Sequence, residues 1–137
     1  MSDRDELIEA NRTFYRAFES LDAEQMESVW LKDPQIICIH PGWPELAGWG
    51  PIMRSWERIF ENVFEMKFDL RVVEARVNAD LGFVLVEENL TQRGYEGVVK
   101  AKLLSTNVFA RAGTRWWLVL HHGSPVMAPP ADEPPLQ

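Results

Sequence analysis

A chain of 137 residues with 46% apolar side chains and six tryptophans has the size and aromatic content of one folded domain, which excludes a disordered segment. Its formal charge of -7 and the absence of a clustered basic face exclude nucleic acid as the expected partner, since phosphates are held by concentrated lysine and arginine. A single cysteine, Cys38, leaves no intrachain disulfide, and no apolar run approaches the ~20 residues that span a bilayer.

The N-terminus is charged and helical in pattern rather than a leader, so a cytoplasmic protein without a membrane partner is expected. Ser2 and Asp5 form a helix start, after which Leu7, Asn11, Phe14 and Phe18 recur at helical spacing, with Ala10, Ala17 and Leu21 widening the stripe. Asn11 interrupts that apolar face, and Tyr15 lies at its edge. Asp22 and Gln25 open a second, short helix carrying Met26, Val29 and Trp30, and Asp33-Pro34 stops it.

Gln35 to His40 reads as a strand. Its run of Ile36, Ile37, Cys38 and Ile39 suggests that both faces are covered, and Pro41, which has no N–H to donate, ends its pairing. His40 and Trp43 are thereby fixed at the lip of the core. After the Pro41 to Gly48 loop, Gly50-Pro51 starts a third helix with Ile52, Trp56, Ile59, Phe60 and Val63 as its buried stripe.

From Phe64 the period changes to two. Phe64, Met66, Phe68, Leu70 and Val72 alternate with charged residues, and then Val73, Ala75 and Val77 take over the apolar role, a slip that signals a bulge. Turns at Asn78–Gly82, Gly94–Gly97 and Ala112-Gly113 separate strands at Phe83–Arg93, Val98–Arg111 and Thr114–Ser124. Four long strands joined by tight turns form an antiparallel meander that must curl, with the helices filling it. One domain over residues 1–125 and a proline-rich, flexible tail over 126–137 follow from this pattern.

This order of elements resembles the cone-shaped α+β fold of the nuclear transport factor 2-like superfamily, in which three N-terminal helices pack on a strongly curled, mainly antiparallel sheet. The SnoaL-like branch is the nearer likeness, carried by Cys38-Ile39-His40-Pro41-Gly42-Trp43 with Gly48, by Thr106-Asn107-Val108-Phe109, and by Trp116 through His121-His122-Gly123-Ser124-Pro125. The resemblance implies a cone enclosing a small hydrophobic molecule. The fold hosts isomerases, dehydratases, epoxide hydrolases, polyketide cyclases and non-catalytic subunits, so it does not choose among them. The tyrosine and protonated aspartic acid of ketosteroid isomerase have no evident counterpart, with only Tyr15 and Tyr95 to draw on.

Alternation along the strands selects the inward side chains. In the last strand Trp116, Leu118, Leu120, His122 and Ser124 share the more apolar face, which assigns His122 to the interior and His121 to the outside. Trp117 and Val119 then suit a homodimer through the convex sheet face, or the interior if the parity is reversed. Asn107 shares a face with Leu103, Ser105 and Phe109, opposite Lys102, and so points inward. One of Glu87 and Glu88 lies inside, and the family resemblance favours Glu88.

The resulting site has His40, Glu88 and His122 as its acid/base groups and Asn107 to hold a substrate oxygen, with Trp43, Trp30, Trp56, Phe14 and Tyr15 as ligand-binding walls. A carboxylate beside an imidazole in a desolvated space brings a base near neutral pH. The expected chemistry is cofactor-free isomerisation, dehydration or cyclisation of a hydrophobic organic acid or ketone. The alternative is a non-catalytic module for ligand binding or association, and an inward histidine is more often a hydrogen-bonded core residue than a catalyst. No metal is expected, because His-x-His and Cys-x-x-Cys spacings are absent.

Overall fold

The Ser2 capping box forms as the sequence indicates. In the computed structural model, which describes residues 1–127, the Ser2 hydroxyl accepts from the Asp5 N–H while the Asp5 carboxylate accepts from the Ser2 N–H. These bonds start α1 (Asp3–Ser20), whose buried stripe is Leu7, Asn11, Phe14, Tyr15, Ala17 and Phe18. An asparagine thus lies on the face pressed against the sheet. The second helix, α2 (Ala23–Glu27), is shorter than its periodicity suggests. Val29 and Trp30 run extended instead: Leu118 N–H donates to the Val29 carbonyl and Leu31 N–H to the Leu118 carbonyl, each at 2.9 Å. Burial of Val29 and Trp30 against a strand produces the same spacing as a helical stripe over so short a segment.

The apolar run yields only a three-residue strand, β1 (Ile37–Ile39), in which Ile36, Cys38 and His40 are buried while Ile37 and Ile39 are half-buried. It is therefore not covered on both faces. An unforeseen edge strand, β2 (Leu46–Ala47), pairs with it antiparallel. Gly48, at φ 88, caps α3 (Trp49–Glu61). Pro51 sits in the first turn, where no intrahelical N–H partner is lost. Val63 begins a strand rather than ending the helix.

The meander consists of β3 (Val63–Asn78), β4 (Leu81–Gly94), β5 (Gly97–Ala112) and β6 (Arg115–Pro125), and the sheet order is β2-β1-β6-β5-β4-β3. Among the named strands of the described residues the β1–β6 pairing is parallel and the others antiparallel, and an isolated bridge from Trp30 to Leu118 is parallel as well. The register between β3 and β4 shifts between Val72 and Glu74, at the place where the apolar alternation slips. Met66, Phe68 and Leu70 face inward before it, and Ala75 and Val77 after it. This is an α+β fold with the helices packed on one side of an open, six-stranded, mainly antiparallel sheet. Among the described residues no helix is long and apolar enough to cross a membrane. The expected flexible tail falls, beyond Met127, outside the described residues.

Candidate functional site

The histidine assigned to the interior is His121, not His122. A register shift in the β5–β6 ladder, between Val108 and Phe109, pairs Val108 with Leu120 but Phe109 with Leu118, so Val119 is an extra residue in β6. Such a bulge reverses which side chains point inward. Trp116 and Leu118 are buried before it, His121 and Gly123 after it, and His122 is exposed. The same register sets His121 opposite Asn107. His122 therefore has no place in an enclosed site.

Alternation holds elsewhere. Val84, Val86 and Glu88 of β4 are buried, as are Leu103, Ser105, Asn107 and Phe109 of β5. These strands and α1 build a buried polar chain. The Asn107 Nδ2 group donates to Asn11 Oδ1 at 2.9 Å and to the Tyr15 hydroxyl at 3.2 Å. The Tyr15 hydroxyl donates to Glu88 Oε2 in a short bond. With its amide nitrogen committed to those acceptors, Asn107 Oδ1 accepts from His121 Nδ1–H at 2.6 Å. His121 is then the Nδ1–H tautomer, and its Nε2 carries a lone pair with no hydrogen-bond partner among the described residues.

His40 is held differently. Ser55 Oγ donates to the Ile52 carbonyl at 2.6 Å, so it accepts from His40 Nε2–H at 2.8 Å. The ring stands edge-on to Trp43 and Trp56, with centroids 4.9 and 4.8 Å away. Cys38 Sγ lies 3.6 Å from Nε2 and 4.0 Å from Nδ1.

Burial governs the protonation of these groups. It pushes His121 down to about 3, with the nearby imidazoles of His40 and His122 adding to the effect, and it pushes His40 down to about 4. Both rings are neutral at pH 7. Burial raises the Glu88 carboxyl above its ordinary value, opposed by hydrogen bonding to Tyr15, and makes it a stronger base than a surface carboxylate. Burial and the Glu88 charge push the Tyr15 phenol well up, so it stays a donor.

His40, Glu88 and His121 line one cavity of about 340 Å³, with Phe18, Met66 and Phe68 on its apolar walls. Trp43, 38% exposed, stands at its rim. A roomier groove of about 600 Å³ runs between α1 and the β5–β6 turn, but it is more open and receives none of the buried titratable groups. The candidate site is therefore the smaller cavity.

Several expected ligand-binding walls stand behind that cavity. Trp30, Trp56, Phe14 and Tyr15 are almost fully buried and do not line it. Phe14 and Trp56 pack on the His121 ring at 5.0 and 6.1 Å, fixing its plane. Asn107, expected to hold a substrate oxygen, also stays behind the wall because its amide is spent on Asn11, Tyr15 and His121. Asn11, Ser55 and His121 were not singled out as site residues by sequence reasoning. Asn11 did leave a signal as the polar break in an apolar stripe. Among the described residues no group of three histidine, cysteine or acidic side chains is placed to hold a metal ion.

The profile of the SnoaL-like domain family matches residues 7–129. A protein of the nuclear transport factor 2-like family from Streptomyces avermitilis, named as a candidate dehydratase, is 36% identical, with 92% of this chain and 97% of that chain covered and a TM-score of 0.86. A candidate calcium/calmodulin-dependent protein kinase type II association domain from Thiobacillus denitrificans is 32% identical over 86% of this chain and 93% of that one, with a TM-score of 0.78. The F-box protein SKIP8 of Arabidopsis thaliana is 29% identical over 120 residues, 86% of this chain, and the chain spans 48% of that protein's length.

Proposed function

The chain belongs to the SnoaL-like domain family, with a nuclear transport factor 2-like fold, and from that premise we propose that it binds a small, mostly apolar organic molecule and moves a proton on it. The carrying observation is the single cavity faced by a neutral imidazole with a free Nε2 and by a carboxyl group of raised basicity. His121 Nε2 takes a proton from the bound molecule. The imidazolium so formed returns it at a second atom, giving isomerisation, or to a departing hydroxyl, giving dehydration with release of water. Either path is redox-neutral. Glu88 stabilises the transient imidazolium by its charge, while Asn107 holds the ring in the required tautomer. The dehydratase named for the Streptomyces avermitilis relative supports the same class of chemistry.

His121 replaces His122 in this role, and His40, its Nε2–H fixed by Ser55, shapes the wall. The test incubates the protein with small alicyclic alcohols and ketones in D2O and follows loss of water or uptake of deuterium by mass spectrometry. His121→Gln is expected to lower turnover by roughly 10²-fold or more while shifting the melting temperature by only a few degrees, with His122→Gln changing neither. Undiminished turnover in His121→Gln would remove the catalytic assignment.

A second reading draws on the Thiobacillus denitrificans association domain and on apolar side chains left on the outer sheet, among them Val98 and Leu104. Here the domain associates through its convex face as a homodimer, with Trp117 beneath the Arg115 guanidinium, 3.6 Å from the ring centroid. Under that reading light scattering shows a dimer, and His121→Gln costs stability with no turnover to lose.

A further inference from the structure

We infer that the cavity selects uncharged ligands carrying a hydroxyl donor, in preference to carboxylates or simple ketones of the same skeleton. This rests on the small-molecule reading of the site and departs from the organic acid or ketone that the sequence suggests. No lysine or arginine lines the cavity, whose ionisable members are Glu88, His40 and His121. Neither imidazole offers an N–H to an incoming anion. His121 Nδ1–H is spent on Asn107, and His40 Nε2–H on Ser55.

At the buried end, beside Glu88 and His121, the groups left to meet a ligand are acceptors, while the donors of the lining, the Gln92 amide and the Trp43 indole N–H, belong to a half-buried and an exposed residue. The acceptors are His121 Nε2 and the Glu88 carboxylate, whose Oε2 already receives the Tyr15 hydroxyl. A ligand hydroxyl completes that arrangement with an O–H···N or O–H···O bond. A ketone oxygen at that end would instead face two acceptors, leaving it and the His121 Nε2 lone pair unpaired in a desolvated space, and would meet a donor only by turning toward Gln92 or Trp43. A ligand carboxylate adds to this the cost of burying a charge beside Glu88 with no cation to balance it. Gln92 and Trp43, also in the lining, bring neutral groups that do not offset a full negative charge. The chain's own charge of -7 further disfavours the approach of anions.

Three probes on one skeleton test this at pH 7.5 with the full chain: 2-indanol, 2-indanone and indane-2-carboxylate, titrated while the side-chain resonances of His121 and Trp43 are followed by NMR. The alcohol is expected to bind at least about tenfold tighter than either of the others, the worth of about one buried hydrogen bond. A ketone or carboxylate that binds as tightly as the alcohol overturns the donor selectivity and leaves the cavity reading in place. Failure of all three to move the cavity resonances at millimolar concentration overturns both.

Discussion

Asn107→Leu is expected to lower the stability of the folded domain by about 3–5 kcal/mol, because it strands several buried polar groups at once. Leucine nearly matches asparagine in shape, so the effect is chemical rather than steric. Asn11 Oδ1 loses its donor, His121 Nδ1–H loses its acceptor, and the Tyr15 oxygen loses one of its two bonds. All three residues are almost fully buried, so water does not replace what is removed. Urea unfolding should show a lower midpoint with an unchanged slope. Asn107→Asp separates the parts: it keeps an acceptor for His121 Nδ1–H, so it costs less stability, and its carboxylate beside the imidazole raises the His121 pKa. A stable Asn107→Leu protein would mean that the buried polar chain contributes little.

Acid is expected to destabilise the protein well above the range where carboxylates titrate. His40 and His121 are held at about 4 and about 3 in the folded chain, against ~6.5 when unfolded. Between these limits the unfolded state binds more protons, so stability rises with pH and is lost as pH falls below ~6.5. From pH 7 to pH 5 each ring accounts for about 2 kcal/mol, about 4 in total, by the free energy of one pKa unit. Glu88 works the other way, since its raised pKa makes the folded state the better proton binder and offsets part of the loss as pH falls through that value. The carboxylates held down by arginine near the surface, such as Asp3 and Glu87, lose their contribution only at lower pH. The melting temperature measured across pH 7 to 4 should fall steeply, and His121→Gln should flatten the curve. A melting temperature constant from pH 7 to 5 would contradict the neutral, buried histidines.

The difference between what sequence disclosed and what it hid follows from where polar residues break the alternation. In β4 and β5 charged or amide side chains mark the phase, so the inward positions of Glu88 and Asn107 were legible from parity together with the family resemblance. The bulge at Val73 was legible because lysine, aspartate, arginine and glutamate punctuate the strand on both sides. The bulge at Val119 was not. From Trp116 to Leu120 every residue is apolar, so an inserted residue changes no pattern, and parity counted through it delivers the wrong histidine. Bonds such as Asn11 to Asn107, 96 residues apart, leave no local trace, since each partner alone reads as a polar defect. Trp43, beside a proline and a glycine that make its segment a loop, does stand in the lining of the cavity. Trp30 and Trp56 were assigned to a ligand wall because residue type does not separate a core tryptophan from one that lines a cavity.

The central claim is that Asn107 fixes His121 as a neutral imidazole whose Nε2 lone pair faces the cavity. Long-range ¹H–¹⁵N correlation spectra of the histidine rings, recorded from pH 8 to pH 4.5, test it directly. His121 should keep its proton on Nδ1 with an unprotonated Nε2 across that range, while His40 carries its proton on Nε2. A His121 ring that titrates near pH 6.5, or that bears its proton on Nε2, would contradict it.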